Sequence, residues 1–137
     1  MVELAMSILL AVVGTNDGKP LKYEAAFKKA DKEKKPLVIL VGADWCASCQ
    51  IMKRETMQPM QKDGQLDKVV VTYVDKDRNP ELAEKLMKGP TLPQVIVYNK
   101  KDGKWKRFSL TGMQSKKRMK ELLARAGGKI IPAQVLR

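Results

Sequence analysis

The residues best suited to chemistry in this chain are its two cysteines, Cys46 and Cys49, which lie in the stretch ADWCASC at positions 43–49. The chain of 137 residues contains no other cysteine and no histidine. Two thiols at this spacing can close a disulfide with each other, and a pair that opens and closes can exchange disulfides with a second protein. The spacing therefore predicts redox chemistry at this pair.

The pattern around the pair assigns a different role to each sulfur. A short apolar run at 37–43 predicts a buried strand, and a helical pattern begins at Cys46. Unpaired backbone N–H groups and the helix dipole at a helix N-terminus lower the pKa of a thiol there and favour the thiolate. Cys49 follows one turn later on the same face. We expect Cys46 to attack a disulfide and Cys49 to resolve the product.

Three other interpretations of the cysteines carry less weight. A zinc site takes about four nitrogen or sulfur ligands, which one chain without histidine or further cysteine does not supply. A disulfide that closes so short a loop constrains the unfolded chain little, so stabilisation is a poor reason for it. The strand-to-helix position and the adjacent Trp45 argue against two inert buried thiols. We predict neither a metal nor a cofactor.

Strand and helix patterns alternate along the chain. Helices are predicted at 23–35, from Cys46 to a bend or end at Pro59, from Asn79 to a stop at Gly89, and from Ser115 to Gly127, with the Asn79 and Ser115 side chains as N-caps. Buried strands are predicted at 37–43 and 69–74, and a β-hairpin joins 94–99 to 104–110 around Asp102 and Gly103. This order predicts an α/β fold, a central mixed β-sheet with helices on both faces.

The N-terminal apolar run at 6–14 is about half as long as the roughly 20 residues that a membrane-spanning helix needs. We interpret residues 1–21 as an N-terminal extension, or as a first strand or helix packed on the domain. A relic of an export signal is the alternative for this run.

Basic residues dominate the charge, with 27 Lys and Arg against 15 Asp and Glu and a formal net charge of +12. Most of them fall on the polar side of amphipathic patterns, which is typical of a solvated exterior. Nucleic-acid binding is not favoured, because only Trp105 interleaves with the basic cluster at 100–107 and no recognised binding motif accompanies it. We expect a monomer.

Three motifs together resemble the thioredoxin family over nearly all of residues 22–126: ADWCASC after a buried strand, TLPQVIVY at 91–98, and LTGM at 110–113. The resemblance implies the thioredoxin fold for residues 22–127, with 128–137 as a C-terminal tail. It also implies that Pro93 is cis and faces the cysteines, and that the backbone at Leu92 and Pro93 accepts an extended substrate segment.

The resemblance implies roles for two further residues. Trp45 would cover the active-site surface and dock substrates, with ordinary core packing as the alternative. Gly112 would keep the floor of the substrate groove open, with a simple turn glycine as the alternative.

Within the family, residues 34–57 are similar to the C-terminal domain of DsbD-type thiol:disulfide interchange proteins. Three positions depart from family patterns. Arg54 replaces the helix-kinking proline of ordinary thioredoxins, and Leu40 and Lys53 replace two acids thought to handle the proton of the resolving cysteine. Asp44 is the nearest candidate acid, and the alternative for it is an exposed loop carboxylate.

These observations predict a thiol:disulfide oxidoreductase that acts on protein disulfides as a reductant. A separate reductase or a membrane electron donor would reset the pair. The alternative is a non-catalytic binding module or redox sensor built on the same fold. The DsbD-like match favours the periplasm or cell envelope over the cytoplasm, although a lone CxxC pair also suits a reducing cytosol.

Overall fold

Ten elements make up residues 20–127, the part of the chain that the computed structural model describes. They are α1 (Tyr23–Glu33), β1 (Leu37–Gly42), α2 (Ala47–Met52), a π turn (Lys53–Met57), α3 (Gln58–Lys62), β2 (Val70–Asp75), α4 (Pro80–Leu86), β3 (Gln94–Lys101), β4 (Lys104–Thr111) and α5 (Lys116–Ala126). The predictions for the run at 6–14 and for the tail at 128–137 lie outside the described residues.

The four strands form one mixed sheet in the order β2-β1-β3-β4. β1 is parallel to β2 and antiparallel to β3, and β3 pairs antiparallel with β4. The predicted mixed sheet with helices on both faces is confirmed. The predicted buried strands are present. β1 is buried along its whole length, whereas β2 alternates between buried and half-buried residues.

Alternate residues of β1 belong to two separate hydrophobic clusters, one on each face of the sheet. Leu37, Ile39 and Val41 pack with residues of α1 and α4. Val38 and Leu40 pack with residues of the helical segment 47–62 and of α5. The period of two along the strand thus divides the helices into two layers and fixes β1 between them.

The hairpin between β3 and β4 turns at Asp102 and Gly103, as predicted. Both residues have positive φ, 52° and 74°, which is the signature of a two-residue type I′ turn. This turn lies at the far end of β3 from Gln94, the residue next to Pro93.

Two predicted details of α4 are wrong. The Asn79 side chain makes no capping hydrogen bond, although its backbone carbonyl accepts the N–H of Ala83 at 2.9 Å. The helix ends at Leu86 rather than at Gly89. The Gln94 side chain accepts a hydrogen bond from the Lys88 N–H (3.0 Å) and donates one to the Lys88 carbonyl (2.9 Å), so the chain after the helix is held by β3.

Pro59 does not end the helix that carries the cysteines, which continues to Lys62. The π turn comes just before it, and the Gln58 N–H bonds to the Lys53 carbonyl five residues back. A proline ring in a helix crowds the carbonyl four residues earlier, and a widened turn at this place relieves that crowding.

Truncation of Met119 tests the packing of α5 on the sheet. Met119 is fully buried, so Met119→Ala should lower the free energy of unfolding by about 2 to 5 kcal/mol through lost contacts and a cavity. Lys120→Ala, at an exposed neighbouring position, should change it by no more than about 0.5 kcal/mol. Urea unfolding of the two variants measures both values, and equal effects would contradict this packing.

Candidate active site

Cys46 and Cys49 form a disulfide just beyond the C-terminal end of β1, with their Cα atoms 5.3 Å apart. Cys46 is the N-cap of α2, and its Sγ accepts a hydrogen bond from the Cys49 N–H at 3.2 Å. The Ser48 hydroxyl lies 3.4 Å from the same sulfur. Cys46 is 6% exposed and Cys49 is fully buried. An incoming molecule therefore reaches Cys46 first.

Cys49 rests against the backbone of Gly42, the last residue of β1. A Cβ atom at position 42 would lie 3.1 Å from both Cβ and Sγ of Cys49, closer than side chains normally pack. Glycine is thus what allows the disulfide to approach the strand. Sequence reasoning missed Gly42, although a glycine at a strand end often marks a close approach of this kind.

The backbone segments predicted to receive a substrate lie beside the disulfide. Leu92 packs against the buried cluster of Ala43, Cys46 and Cys49, and the Leu92–Pro93 peptide bond is cis. The Gly112 N–H donates to the Pro93 carbonyl at 2.8 Å. Gly112 has φ +83°, which favours glycine, and a Cβ at this position would meet no atom within 4 Å. The structure thus brings these three residues together beside the disulfide, where Leu92 and Gly112 are half-buried and Pro93 is buried.

Trp45 lies on the surface, with 69% of its area exposed, so the alternative of ordinary core packing is wrong. Its indole Nε1 donates a hydrogen bond to Asp77 Oδ2 at 2.7 Å. Met113, which follows Gly112 in the chain, is 55% exposed.

Asp44 is engaged elsewhere and is not the acid that accepts the proton of Cys49. Its carboxylate forms an ion pair with Arg78 at 2.8 Å, and both side chains are mostly exposed. The alternative of an exposed loop carboxylate is therefore correct. Leu40 is buried in the hydrophobic core, and the Lys53 Nζ lies 5.0 Å from the centre of the Tyr73 ring.

Asp75, at the end of β2, is an acid near the site that sequence reasoning missed. Its Oδ1 accepts hydrogen bonds from the backbone N–H groups of Asp77 (2.8 Å) and Arg78 (3.1 Å). Burial alone would raise the pKa of Asp75, but these two N–H groups and the positive charges of Arg78 and Lys53 outweigh it and lower that pKa. The only sequence signal was an acid at the end of a predicted strand.

A chain of hydrogen bonds joins the helical segment 47–62 to the Gly112 loop. The Thr56 hydroxyl, in the π turn, donates to the Gln114 carbonyl at 2.8 Å, and both residues are buried. The Gln114 side-chain amide donates to the carbonyls of Thr111 (3.0 Å) and Gly112 (3.1 Å). Together with the bond from Gly112 to Pro93, these contacts fix the Gly112 loop relative to the helical segment that carries Cys49.

Residues 20–127 contain no cluster of three or more acidic, histidine or cysteine side chains that could hold a metal ion. Within the same range, every helix is too short or too polar to cross a lipid bilayer.

The fold and the cysteine pair agree with comparisons to known proteins. The sequence profile of the thioredoxin-like family matches residues 19–100, which is more than half of the chain. The chain therefore belongs to the thioredoxin-like family. No curated protein sequence matches it.

Solved thioredoxin structures share the fold at low sequence identity. A thioredoxin from Thermus thermophilus has a TM-score of 0.68 and 20% identity, over 80% of this chain and 86% of that one. Chloroplastic thioredoxin z has a TM-score of 0.65 and 21% identity, over 80% and 94%. Thioredoxin from Fasciola hepatica has a TM-score of 0.58 and 24% identity, over 75% and 93%. These similarities concern the fold alone.

Replacement of Thr56 tests the link between the helical segment and the Gly112 loop. Thr56→Val keeps the shape but leaves the buried Gln114 carbonyl without its donor, so the free energy of unfolding should fall by about 1 to 3 kcal/mol. Thr56→Ser keeps the hydroxyl, so its free energy of unfolding should fall by less. Chemical denaturation of both variants makes the comparison, and an unchanged Thr56→Val protein would contradict a structural role for the hydroxyl.

The lowered pKa of Asp75 predicts a pH dependence of stability. A carboxyl whose pKa is lower in the folded than in the unfolded state stabilises the fold at neutral pH. That contribution is lost as the pH falls from about 4 through the folded-state value. Asp75→Asn should therefore lose less stability between pH 7 and acid than the wild type does, as measured by thermal unfolding across this range. An identical loss in both proteins would contradict the prediction.

Proposed function

We propose that this protein is a thiol:disulfide oxidoreductase that acts on protein disulfides, with the reducing direction as its main one. The observation that carries the proposal is the asymmetry of the pair. Cys46 is 6% exposed and its Sγ accepts an N–H hydrogen bond, while its disulfide partner Cys49 is fully buried. Such an arrangement suits one attacking and one resolving sulfur.

The reaction begins from the dithiol. Cys46, as thiolate, attacks one sulfur of the substrate disulfide, and the other substrate sulfur leaves as a thiolate that takes up a proton. Cys49 then loses its proton and attacks Cys46 Sγ. The bond between Cys46 and the substrate breaks, the second substrate thiol is released, and two electrons have passed from the pair to the substrate.

The surface around the pair supports a protein substrate. An extended segment placed along Leu92, Pro93 and Gly112 would meet backbone groups, with the exposed Trp45 and Met113 offering apolar contact. We propose residues 22–127 as the catalytic domain, acting as a monomer. A reductase or a membrane electron donor would return the disulfide to the dithiol.

Resemblance to thioredoxins favours the reducing direction, and the reduction potential tests it. Equilibration in glutathione or dithiothreitol buffers, followed by Trp45 fluorescence, should give a two-electron transition between about −270 and −200 mV. A value near about −120 mV would instead make the protein an oxidant.

A second candidate function is a docking module or redox sensor. Leu40 and Lys53 favour it, because the two acids of related enzymes are missing at these positions. Dependence on Cys46 separates the two functions, since docking does not require the sulfur.

Substitution of each cysteine tests the exchange chemistry. Reduction of insulin disulfides should vanish in Cys46→Ser, whereas Cys49→Ser should accumulate a mixed disulfide, because nothing resolves it. Mass spectrometry of the trapped complex and a turbidity assay measure the two outcomes. Insulin reduction by Cys46→Ser at the wild-type rate would exclude the proposed function, and binding of a partner protein that survives in Cys46→Ser would support the docking module.

A further inference from the structure

The resolving step requires Cys49 to lose its thiol proton, so charged groups next to Cys49 influence when it can act. Positions 40 and 53, where acids would be expected by family resemblance, hold Leu and Lys. The strand pairing brings a different acid to the end of β1 against which Cys49 packs.

The register of the sheet brings Asp75 next to Cys49. β1 and β2 are parallel, and Gly42 pairs with Asp75. A Cβ on Gly42 would point at Cys49, 3.1 Å from its Sγ, and side chains of paired residues on neighbouring strands lie on one face of a sheet. Asp75 therefore lies on the face that Cys49 covers, and position 42 carries no side chain that would separate the two.

Lys53 brings a positive charge to the same place. It lies four residues after Cys49 in the helical segment, the spacing at which helical side chains are neighbours. Its Nζ lies 5.0 Å from the ring centre of Tyr73, which is two residues before Asp75 and faces the same side of β2. The charge of Lys53 also acts on the Asp75 carboxyl.

The Asp75 carboxylate is held in a fixed orientation. Its Oδ1 accepts the N–H groups of Asp77 and Arg78, so the negative charge stays at the end of β2 instead of turning freely into solvent. A fixed charge acts on a nearby titrating group more consistently than a mobile one does.

The other groups around this end of β1 are apolar, neutral or of both charge signs. On this face β1 carries Val38, Leu40 and Gly42, none of which is charged, and Leu92 is apolar. Burial raises the pKa of Tyr73, which therefore stays neutral at physiological pH. Charges of both signs lie in the loops after β1 and β2. Asp44 is ion-paired with Arg78, Asp77 accepts the Trp45 indole N–H, and the backbone N–H of Lys76 donates to the Gly42 carbonyl.

We propose that Asp75 and Lys53 are an opposed pair of charges beside Cys49 that sets how readily its thiol loses a proton. Asp75 opposes formation of the thiolate, and Lys53 favours it. Neither residue takes part in a bond that forms or breaks. Each acts on the Cys49 thiol through the electrostatic effect of its charge. In the resolving step, which rests on the proposed function, the pair determines how long the mixed disulfide on Cys46 persists.

Titration of Cys49 tests the pair directly. In a Cys46→Ala background Cys49 is the only thiol, and the ultraviolet absorbance of its thiolate reports deprotonation against pH. Adding Asp75→Asn should lower the midpoint by roughly 0.5 to 1 pH unit, and adding Lys53→Met should raise it by a similar amount. Asn keeps the acceptor for the N–H groups of Asp77 and Arg78, so the loop is preserved. With both substitutions together, the midpoint should return to near that of Cys46→Ala alone.

Two substitutions at the distant hairpin turn provide matched controls. Asp102→Asn and Lys104→Met make the same changes of charge and should leave the midpoint within about 0.2 pH units, because salt screens charges beyond about 10 Å. Opposite shifts for Asp75→Asn and Lys53→Met support the pair. No shift in either, or shifts of the same sign, would overturn it.

The titration needs no exchange activity, so its result is independent of the insulin assay that tests the proposed function. With both cysteines present, Asp75→Asn should release the substrate from the mixed disulfide about three to ten times faster near neutral pH, in proportion to the added thiolate. If Asp75→Asn fails to fold, as judged by thermal unfolding, the Cys49 titration in Lys53→Met alone tests the proposal. A raised midpoint and slower release then support the pair, and an unchanged midpoint overturns it.

Discussion

The burial of β1 on both of its faces is the constraint on which the rest of the structure depends. Alternate side chains of this strand enter two hydrophobic clusters, so β1 can neither rotate nor slide without exposing one of them. The strand therefore ends at a defined place, and Gly42, its last residue, is where Cys49 rests. Because the position of the Cys49 sulfur is fixed, its reactivity depends on the groups around it and requires no conformational rearrangement.

Hydrogen bonds extend this order from the sheet to the loops. Thr56 and Gln114 connect the helical segment to the Gly112 loop, and Gly112 connects to Pro93. On the other side, Asp75 orders the loop that presents Asp77 to Trp45. Two loops that flank the disulfide are thus tied to regular elements, so the surface predicted to receive a substrate is largely preformed.

The sequence predicted the strands, most of the helices and the cysteine pair, because these depend on local periodicity and on turn residues. The Asp102–Gly103 hairpin and the Ser115 cap follow from such local rules, and both are confirmed. The end of α4 did not follow, because the Gln94 side chain, which belongs to β3, replaces the last helical hydrogen bonds.

Local patterns predicted the candidate site only where its residues are neighbours in sequence, and the family resemblance added Leu92, Pro93 and Gly112. Asp75 and Gly42 come together through strand pairing, a contact between positions 33 residues apart that no local pattern reveals. Thr56 and Gln114 are 58 residues apart and meet only in the folded chain. Membership of the thioredoxin-like family follows from the sequence, whereas the narrower resemblance to DsbD-type domains stays a prediction.

The complete burial of Cys49 has a consequence for the lifetime of any covalent complex. A partner can be attached only through Cys46, and the group that severs that bond is already in place behind it. In the proposed reaction attachment is therefore self-limiting: each complex would carry its own means of release, and no third protein would have to enter to end it.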